Sequence, residues 1–214
     1  MVSDADREAE ELIYGLLAAE RPDDGVLAEE GSSREGTSGR RWVVDPLDGT
    51  TNFLYGFPAW AVSVGLEDSD GGLVAVVLDP SRAELFSAVR SQGARLNSAP
   101  MEVREAPPLD RALVATDFAY GSARRAEQAD VLRRVLPSVR DVRRAGAATL
   151  DLAWVAAGRL DGYYERGLKP WDWAAGRLLV VEAGGVVTDL PGEPAGLAAA
   201  SSLELLEGLT GLLT

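Results

Sequence analysis

Residues 42–53 read WVVDPLDGTTNF, an apolar run driven straight into two aspartates three residues apart and then into Gly-Thr-Thr. Trp42, Val43 and Val44 are aromatic or β-branched, which predicts a buried strand over 42–45. Asp45 then falls where a strand ends at the rim of a sheet, the place where ligands commonly bind in α/β architectures. Pro46 stiffens the turn, and Asp48 follows closely enough for both carboxylates to point at one spot. Gly49 and Thr50 begin a short helix, whose free backbone N–H groups suit a phosphate. The plainer reading makes Asp48-Gly49 an ordinary turn and Asp45 a capping residue.

Composition narrows the chemistry that such acids can perform. The 214 residues are 46% hydrophobic and 26% charged, enough for a well-buried core in one large domain or two small ones that share a cleft. No apolar run approaches the ~20 residues of a membrane helix, and the start MVSDADREAEEL lacks the basic and apolar regions of a signal peptide, so a cytoplasmic setting is expected. With no cysteine and no histidine, thiolate chemistry, the Ser-His-Asp triad and imidazole metal ligands all drop out. Any metal must be held by oxygen, which selects Mg²⁺, Mn²⁺ or Ca²⁺ over zinc. A net charge of −13 disfavours nucleic acid and anionic membrane surfaces as partners. A small anionic substrate is compatible with it where cations intervene.

Outward from the opening stretch, Asp4 to Ala19 places Leu12, Ile13, Leu16 and Leu17 at helical spacing behind a Ser3 or Asp4 cap. Val26-Leu27-Ala28 leads into Glu29-Glu30, and the small polar stretch GSSREGTSGR predicts a mobile loop. Segments 59–67, 73–79 and 84–90 predict an antiparallel meander joined by turn signals such as Asp70-Gly71-Gly72. Pro107-Pro108 and the charges around them mark a boundary, dividing the chain into residues 1–110 and 111–214. Beyond it, strands at 112–116, 139–144 and 162–165 alternate with helices near 122–136, 149–158 and 171–183. Gly184-Gly185 ends the last of these, and residues 203–214 predict a short amphipathic helix that closes the core.

Two further acidic positions matter. Asp172, in KPWDWAAGRLLVVEAGG, sits in the first turn of a helix, where dipole and capping alone favour an acid. Glu29-Glu30 alone is an ordinary solvated pair. Their placement after apolar runs at three separated points, beside a helix start suited to phosphate, changes that reading. Carboxylates gathered in one dry pocket raise one another's pKa unless cations supply the missing charge. An aspartyl-phosphate mechanism, with its DxDxT spacing of two, is disfavoured because the spacing here is three and the single lysine, Lys169, lies in another motif.

The sequence resembles the inositol monophosphatase family of the lithium-sensitive, Mg²⁺-dependent phosphatase superfamily. Ala28-Glu29-Glu30 matches the family's GEE, VVDPLDGTTNF its first signature and WDWAAGRLLVVEAGG its second, with RRAGAATLDLAWVAAGRLDGYYE between them. The resemblance implies a mixed α/β (α+β) fold, a layered αβαβα sandwich of the inositol monophosphatase and fructose-1,6-bisphosphatase type. It implies two or three Mg²⁺ per site, with Mn²⁺ as a substitute. Glu29, Asp45 and the carbonyl of Leu47 would hold the first metal, and Asp45, Asp48 and Asp172 the second. Gly49 and Thr50 amides would grip phosphate, while Asp48 and Thr50 face it. Glu29 and the Thr50 hydroxyl would orient and help deprotonate the water that attacks phosphorus in line. Glu165 matches the acid that contacts substrate hydroxyls, and Gly146-Ala147 the loop against the sugar ring.

The implied activity is hydrolysis of a small polyol phosphate, inositol 1-phosphate first, by a lithium-sensitive homodimer. Fructose 1,6-bisphosphate, histidinol phosphate and adenosine 3′,5′-bisphosphate share the same metal core. A noncatalytic binding or regulatory relative is the alternative of another class. The pattern departs from the family at Ala28, where glycine is usual, at Ala147, often serine or threonine, and at the start, where a further helix normally precedes the segment beginning here at Met1.

Overall fold

The computed structural model describes residues 3–213, and an interior strand of its first sheet is the opening stretch itself. That strand, β3 (Arg41–Asp48), runs past the expected end at 45: the pairing with β4 (Ala61–Asp68) shifts register between Asp45 and Asp48. The irregularity swings the Asp45–Asp48 segment without ending the ladder. Around β3 lie β1 (Gly25–Ala28) and β2 (Ser33–Arg34) on one side, and β4, β5 (Gly71–Asp79), β6 (Glu84–Val89), β7 (Ala94–Leu96) and β8 (Ala99–Met101) on the other. Only the β1–β3 pair is parallel in this eight-stranded sheet. The expected meander is β4–β6, and the hairpin β7–β8 extends it beyond what the sequence reading assigned.

A five-stranded sheet follows, in the order β10-β9-β11-β13-β12, built from β9 (Leu113–Ala115), β10 (Asp141–Arg143), β11 (Gly162–Arg166), β12 (Val186–Leu190) and β13 (Gly196–Ala200). The last two were not anticipated. β13 contains Ala198-Ala199-Ala200, a poor strand former whose small side chains fit here because all three are fully buried.

The helices are α1 (Asp4–Glu20), α2 (Thr50–Leu54), α3 (Ser122–Val135), α4 (Ala148–Ala156), α5 (Pro170–Glu182) and α6 (Leu203–Thr210). α4 and α5 lie between the two sheets, α1 packs on the outer side of the first, and α6 on the outer side of the second. The fold is therefore the layered αβαβα sandwich. Alternation along β11 builds two cores from one strand: Tyr163 faces α4 and α5, and Tyr164 faces Val135, Leu205 and Leu209. None of the described helices is long and apolar enough to cross a membrane.

One expectation is corrected, and α1 buries acids more deeply than its leucines: Leu12 and Leu16 are 65% and 58% exposed, Ile13 and Leu17 are half-buried, and Asp6 and Glu10 are buried. The reason is that this helix meets polar loops as well as the sheet. The stretch 31–40, expected to be mobile, is tethered: Arg34 donates to the carbonyls of Arg21 and Asp24, and the Asp24 carboxylate accepts from Ser38 and Trp42.

α4 and α5 cross at Gly176, where a methyl group would lie 2.6 Å from Leu152 Cβ and Cδ1. Gly176→Ala gains helix propensity but overpacks this crossing, so a net loss of roughly 1–2 kcal/mol is expected in urea denaturation.

Candidate active site

Glu29, Asp45, Leu47, Asp48, Gly49, Thr50, Gly146, Glu165 and Asp172 all line one cavity of about 630 Å³. The first sheet brings Glu29 at the end of β1 and Asp45 at the β3 irregularity, 1% exposed. α5 brings Asp172 in its first turn, where it accepts the Lys169 N–H at 2.6 Å and caps the helix. Asp48 Oδ2 accepts both the backbone N–H and the hydroxyl of Thr149, at 2.7 and 2.6 Å, so α4 fixes it from the far side. Gly49 has φ +87°, and a Cβ there would sit 2.9 Å from the Ala59 carbonyl. The backbone can enter α2 at that angle only without a side chain.

Ala147 needs correction. Its neighbours Gly146 and Ala148 line the cavity, but Ala147 is 1% exposed and packs in the core between the sheets. Its side chain is therefore withdrawn from this cavity.

Burial and mutual repulsion leave these acids reluctant to ionise. Desolvation is the largest cause at each of them: it lifts Glu29 and Asp48 to about 7 and Asp172 to about 6, and it pushes Asp45 well above the carboxylate range. Glu29 stands at the open rim, yet its carboxyl hydrogen-bonds to Asp45, which requires a shared proton. Among the described residues, no three His, Cys, Asp or Glu side chains already stand arranged to grip one ion. Asp45 Oδ1 accepts the Leu47 N–H at 3.0 Å, and Asp48 and Asp172 are held at Oδ2, leaving one oxygen of each outside these bonds. The donor set nevertheless fits hard divalent cations: four carboxylates and the Leu47 carbonyl, with no nitrogen or sulfur among them.

α1 contributes two site-supporting acids, Asp6 and Glu10, which its spacing of apolar residues does not single out. Asp6 Oδ1 is 3.0 Å from Thr50 Oγ1, whose one hydrogen is shared with the Leu47 carbonyl at 3.1 Å. Glu10 accepts the backbone N–H groups of Glu30 and Ser32 at 2.7 and 2.8 Å and so fixes the turn that carries Glu29. Their i, i+4 spacing was the available signal. On the opposite wall Asp117, also unanticipated, pairs with Arg144 at 2.6 Å, and Glu165 accepts from the Tyr163 hydroxyl at 2.5 Å. Burial raises Asp117, Asp151 and Glu165, and neither carboxylate oxygen of Asp151 has a hydrogen-bond partner. Asp151 is thus kept neutral behind the cavity wall.

The sequence profile of the inositol monophosphatase family matches residues 1–211. The chain belongs to the inositol monophosphatase family. It is 48% identical over 193 residues to an inositol-1-monophosphatase of Rhizobium meliloti (strain 1021), covering 89% of this chain and 73% of that protein. It is 44% identical, over 89% of this chain and 72% of the relative, to the Nus factor SuhB of Escherichia coli (strain K12). Among solved structures, the extragenic suppressor protein suhB of Bartonella henselae superposes with a TM-score of 0.93 at 40% identity, covering all of this chain and 84% of that one. The inositol monophosphatase of Anabaena gives 0.89 at 34% identity, over 99% of this chain and 86% of that one. As a member of the inositol monophosphatase family, the chain is a phosphomonoesterase.

Because the folded acids titrate above their ordinary values, they favour the fold at low pH, and that contribution is lost as pH rises through about 6 to 7. With divalent cations chelated, thermal stability should fall between about pH 5 and pH 8, and added Mg²⁺ should restore more at pH 8 than at pH 5. Equal effects of Mg²⁺ at both pH values would contradict the carboxylate assignment. Glu10→Ala should weaken Mg²⁺ binding about tenfold, read by calorimetric titration, since groups that orient ligands typically cost 10- to 100-fold when removed.

Proposed function

We propose that the chain hydrolyses a small polyol phosphate, inositol 1-phosphate first, by Mg²⁺-dependent attack of water on phosphorus. One observation carries this reading: four buried or cavity-lining carboxylates converge beside the start of α2, each raised chiefly by desolvation. Glu29, Asp45, Asp48, Asp172 and the Leu47 carbonyl would hold two or three Mg²⁺ ions, with Mn²⁺ as a substitute. Bound there, the cations supply the positive charge that phosphate and acids both lack, together with Lewis acidity toward the ester.

The protein's own residues do the rest. Gly49 and Thr50 present backbone N–H groups at the first turn of α2, the natural seat of a phosphoryl oxygen. The Thr50 hydroxyl, accepted by Asp6, can pass its hydrogen toward that carboxylate while its oxygen takes a hydrogen from the attacking water. Glu29 lies beside Asp45 at the rim and orients the same water. Glu165, opposite, is suited to a hydroxyl of the substrate, and Gly146 offers backbone without a side chain at the ring. The reading treats residues 1–110 and 111–214 as two halves meeting at this cleft. Fructose 1,6-bisphosphate and histidinol phosphate remain alternatives, because they differ only in the outer pocket. The family resemblance also carries a homodimer, a cytoplasmic setting and inhibition by lithium.

A relative named as a Nus factor supports a second reading, a binding or regulatory role. The intact acids argue against its purely noncatalytic form.

The deciding assay is phosphate release from polyol, sugar, amino-alcohol and nucleotide phosphates, with and without Mg²⁺. Asp45→Asn or Asp172→Asn should lower Mg²⁺-dependent release by at least about a hundredfold, the scale of a lost group acting in the transition state. Unchanged turnover in either variant would sink the assignment, and millimolar Li⁺ in the same assay tests the lithium reading.

A further inference from the structure

Asn52 is a buried polar residue of the opening stretch that the mechanism above does not use; it is 8% exposed. Its amide nitrogen donates to the Ala59 carbonyl at 2.6 Å and to the Ala145 carbonyl at 2.8 Å, with the Gly146 carbonyl a longer third neighbour at 3.4 Å. An amide nitrogen has two hydrogens, so both are committed to carbonyls of two different segments. One segment precedes β4, and the other is the loop between β10 and α4 that ends at Gly146-Ala147.

A second observation brings the same segments together. A Cβ at Gly49 would lie 2.9 Å from the Ala59 carbonyl and 3.3 Å from Ala147 Cβ. The start of α2, the 59–60 segment and the 145–147 loop therefore close on one another, with Asn52 as their polar tie. Gly146, at φ +91°, would meet Asn52 Nδ2 at 3.0 Å if it carried a Cβ. The loop is seated on Asn52 at the residue that lines the cavity. The two Thr149 bonds to Asp48 hold the first turn of α4, the Arg144–Asp117 pair and the buried Ala147 flank the loop, and Asn52 is the side chain that ties its carbonyls to the start of α2.

We propose that Asn52 is a positioning residue for specificity: it sets the 145–147 loop at a fixed height above the phosphate-binding turn, so that the ring of a polyol phosphate fits against Gly146. This inference rests on the reading of the cavity as a polyol-phosphate site. It assigns Asn52 to recognition of the alcohol portion and leaves phosphate chemistry to α2 and the acids. Replacing the amide by a carboxylate turns a donor into an acceptor facing carbonyl oxygens, which pushes the loop away. Replacement by alanine removes the tie altogether.

The test compares inositol 1-phosphate with p-nitrophenyl phosphate, which carries no ring hydroxyls, for the full chain and for Asn52→Asp and Asn52→Ala. The expected result is a KM for inositol 1-phosphate raised about tenfold with kcat within about twofold, the scale of one or two lost hydrogen bonds, while both constants for the aryl ester stay within about twofold. An equal rise in KM on both esters, a fall in kcat on both, or no change on either would overturn the proposal. Turnover of the aryl ester reports folding of each variant in the same experiment. If both variants fail to fold, Asn52→Ser, a shorter donor, decides by the same ratio of the two esters. A wild-type protein that cleaves the aryl ester but no polyol phosphate would overturn this proposal together with the substrate reading, and that failure is recognised because it appears without any substitution.

Discussion

The confinement of Asp45 governs the rest of the molecule. Its carboxyl is buried at an irregularity of β3, with Glu29, Asp48 and Asp172 close enough to repel it. A fold does not gather like charges into low dielectric for its own stability, because each added carboxylate raises the cost of ionising the others. The surroundings are built to hold that arrangement open. Leu47 N–H holds one oxygen of Asp45, Thr149 holds Asp48, and Lys169 N–H holds Asp172. Each tether includes a backbone N–H, with the Thr149 hydroxyl adding a second bond to Asp48, so the acids are positioned by neutral donors. The same bonds set the orientations of these carboxyls, although among the described residues no three of them yet converge on one ion.

Each layer of the sandwich supplies one part of that orientation. The first sheet delivers Glu29 and Asp45 through adjacent parallel strands, the one parallel pair in that sheet. The central helices deliver Asp172 and the Thr149 tether from the other side. The second sheet delivers Glu165 through β11, whose neighbouring tyrosines knit the inner and outer cores. This division explains why the cavity sits where the two sheets' helices and strand ends meet, and why its wall opposite these acids has a different character. There the acid–arginine pair of Asp117 and Arg144 and the buried Asp151 replace convergent carboxylates.

Much of this was legible in the sequence, for a specific reason. Asp45, Asp48, Glu29 and Asp172 follow apolar runs or open a helix, so local pattern alone places them at strand and helix ends. The strands and helices flanked by Gly and Pro were legible on the same grounds. What escaped depends on distant partners. Asp6 and Glu10 have the spacing of any surface helix, and their burial appears only when α1 lies against the turns of Thr50 and Glu29. β13 is alanine-rich, so its strand state comes from the space between its neighbours and not from propensity. Ala147 matched a substrate loop by position, but the crossing of Gly49 with that loop turned its methyl inward. The stretch 31–40 has the composition of a free loop, while the carboxylate that ties it, Asp24, lies outside it.

α1 also differs from the other long helices in what attaches it. Its buried side chains are two acids rather than an apolar stripe, and both end on backbone or hydroxyl groups of the cavity rim. Helices fixed chiefly by a few polar bonds are the segments that open at a fraction of the global unfolding cost. An opening of α1 would release Thr50 and the Glu29 turn while both sheets stayed folded. Local opening of α1 would therefore lower the fraction of protein with Thr50 and the Glu29 turn in place, and amide exchange along residues 6–17 gauges that opening.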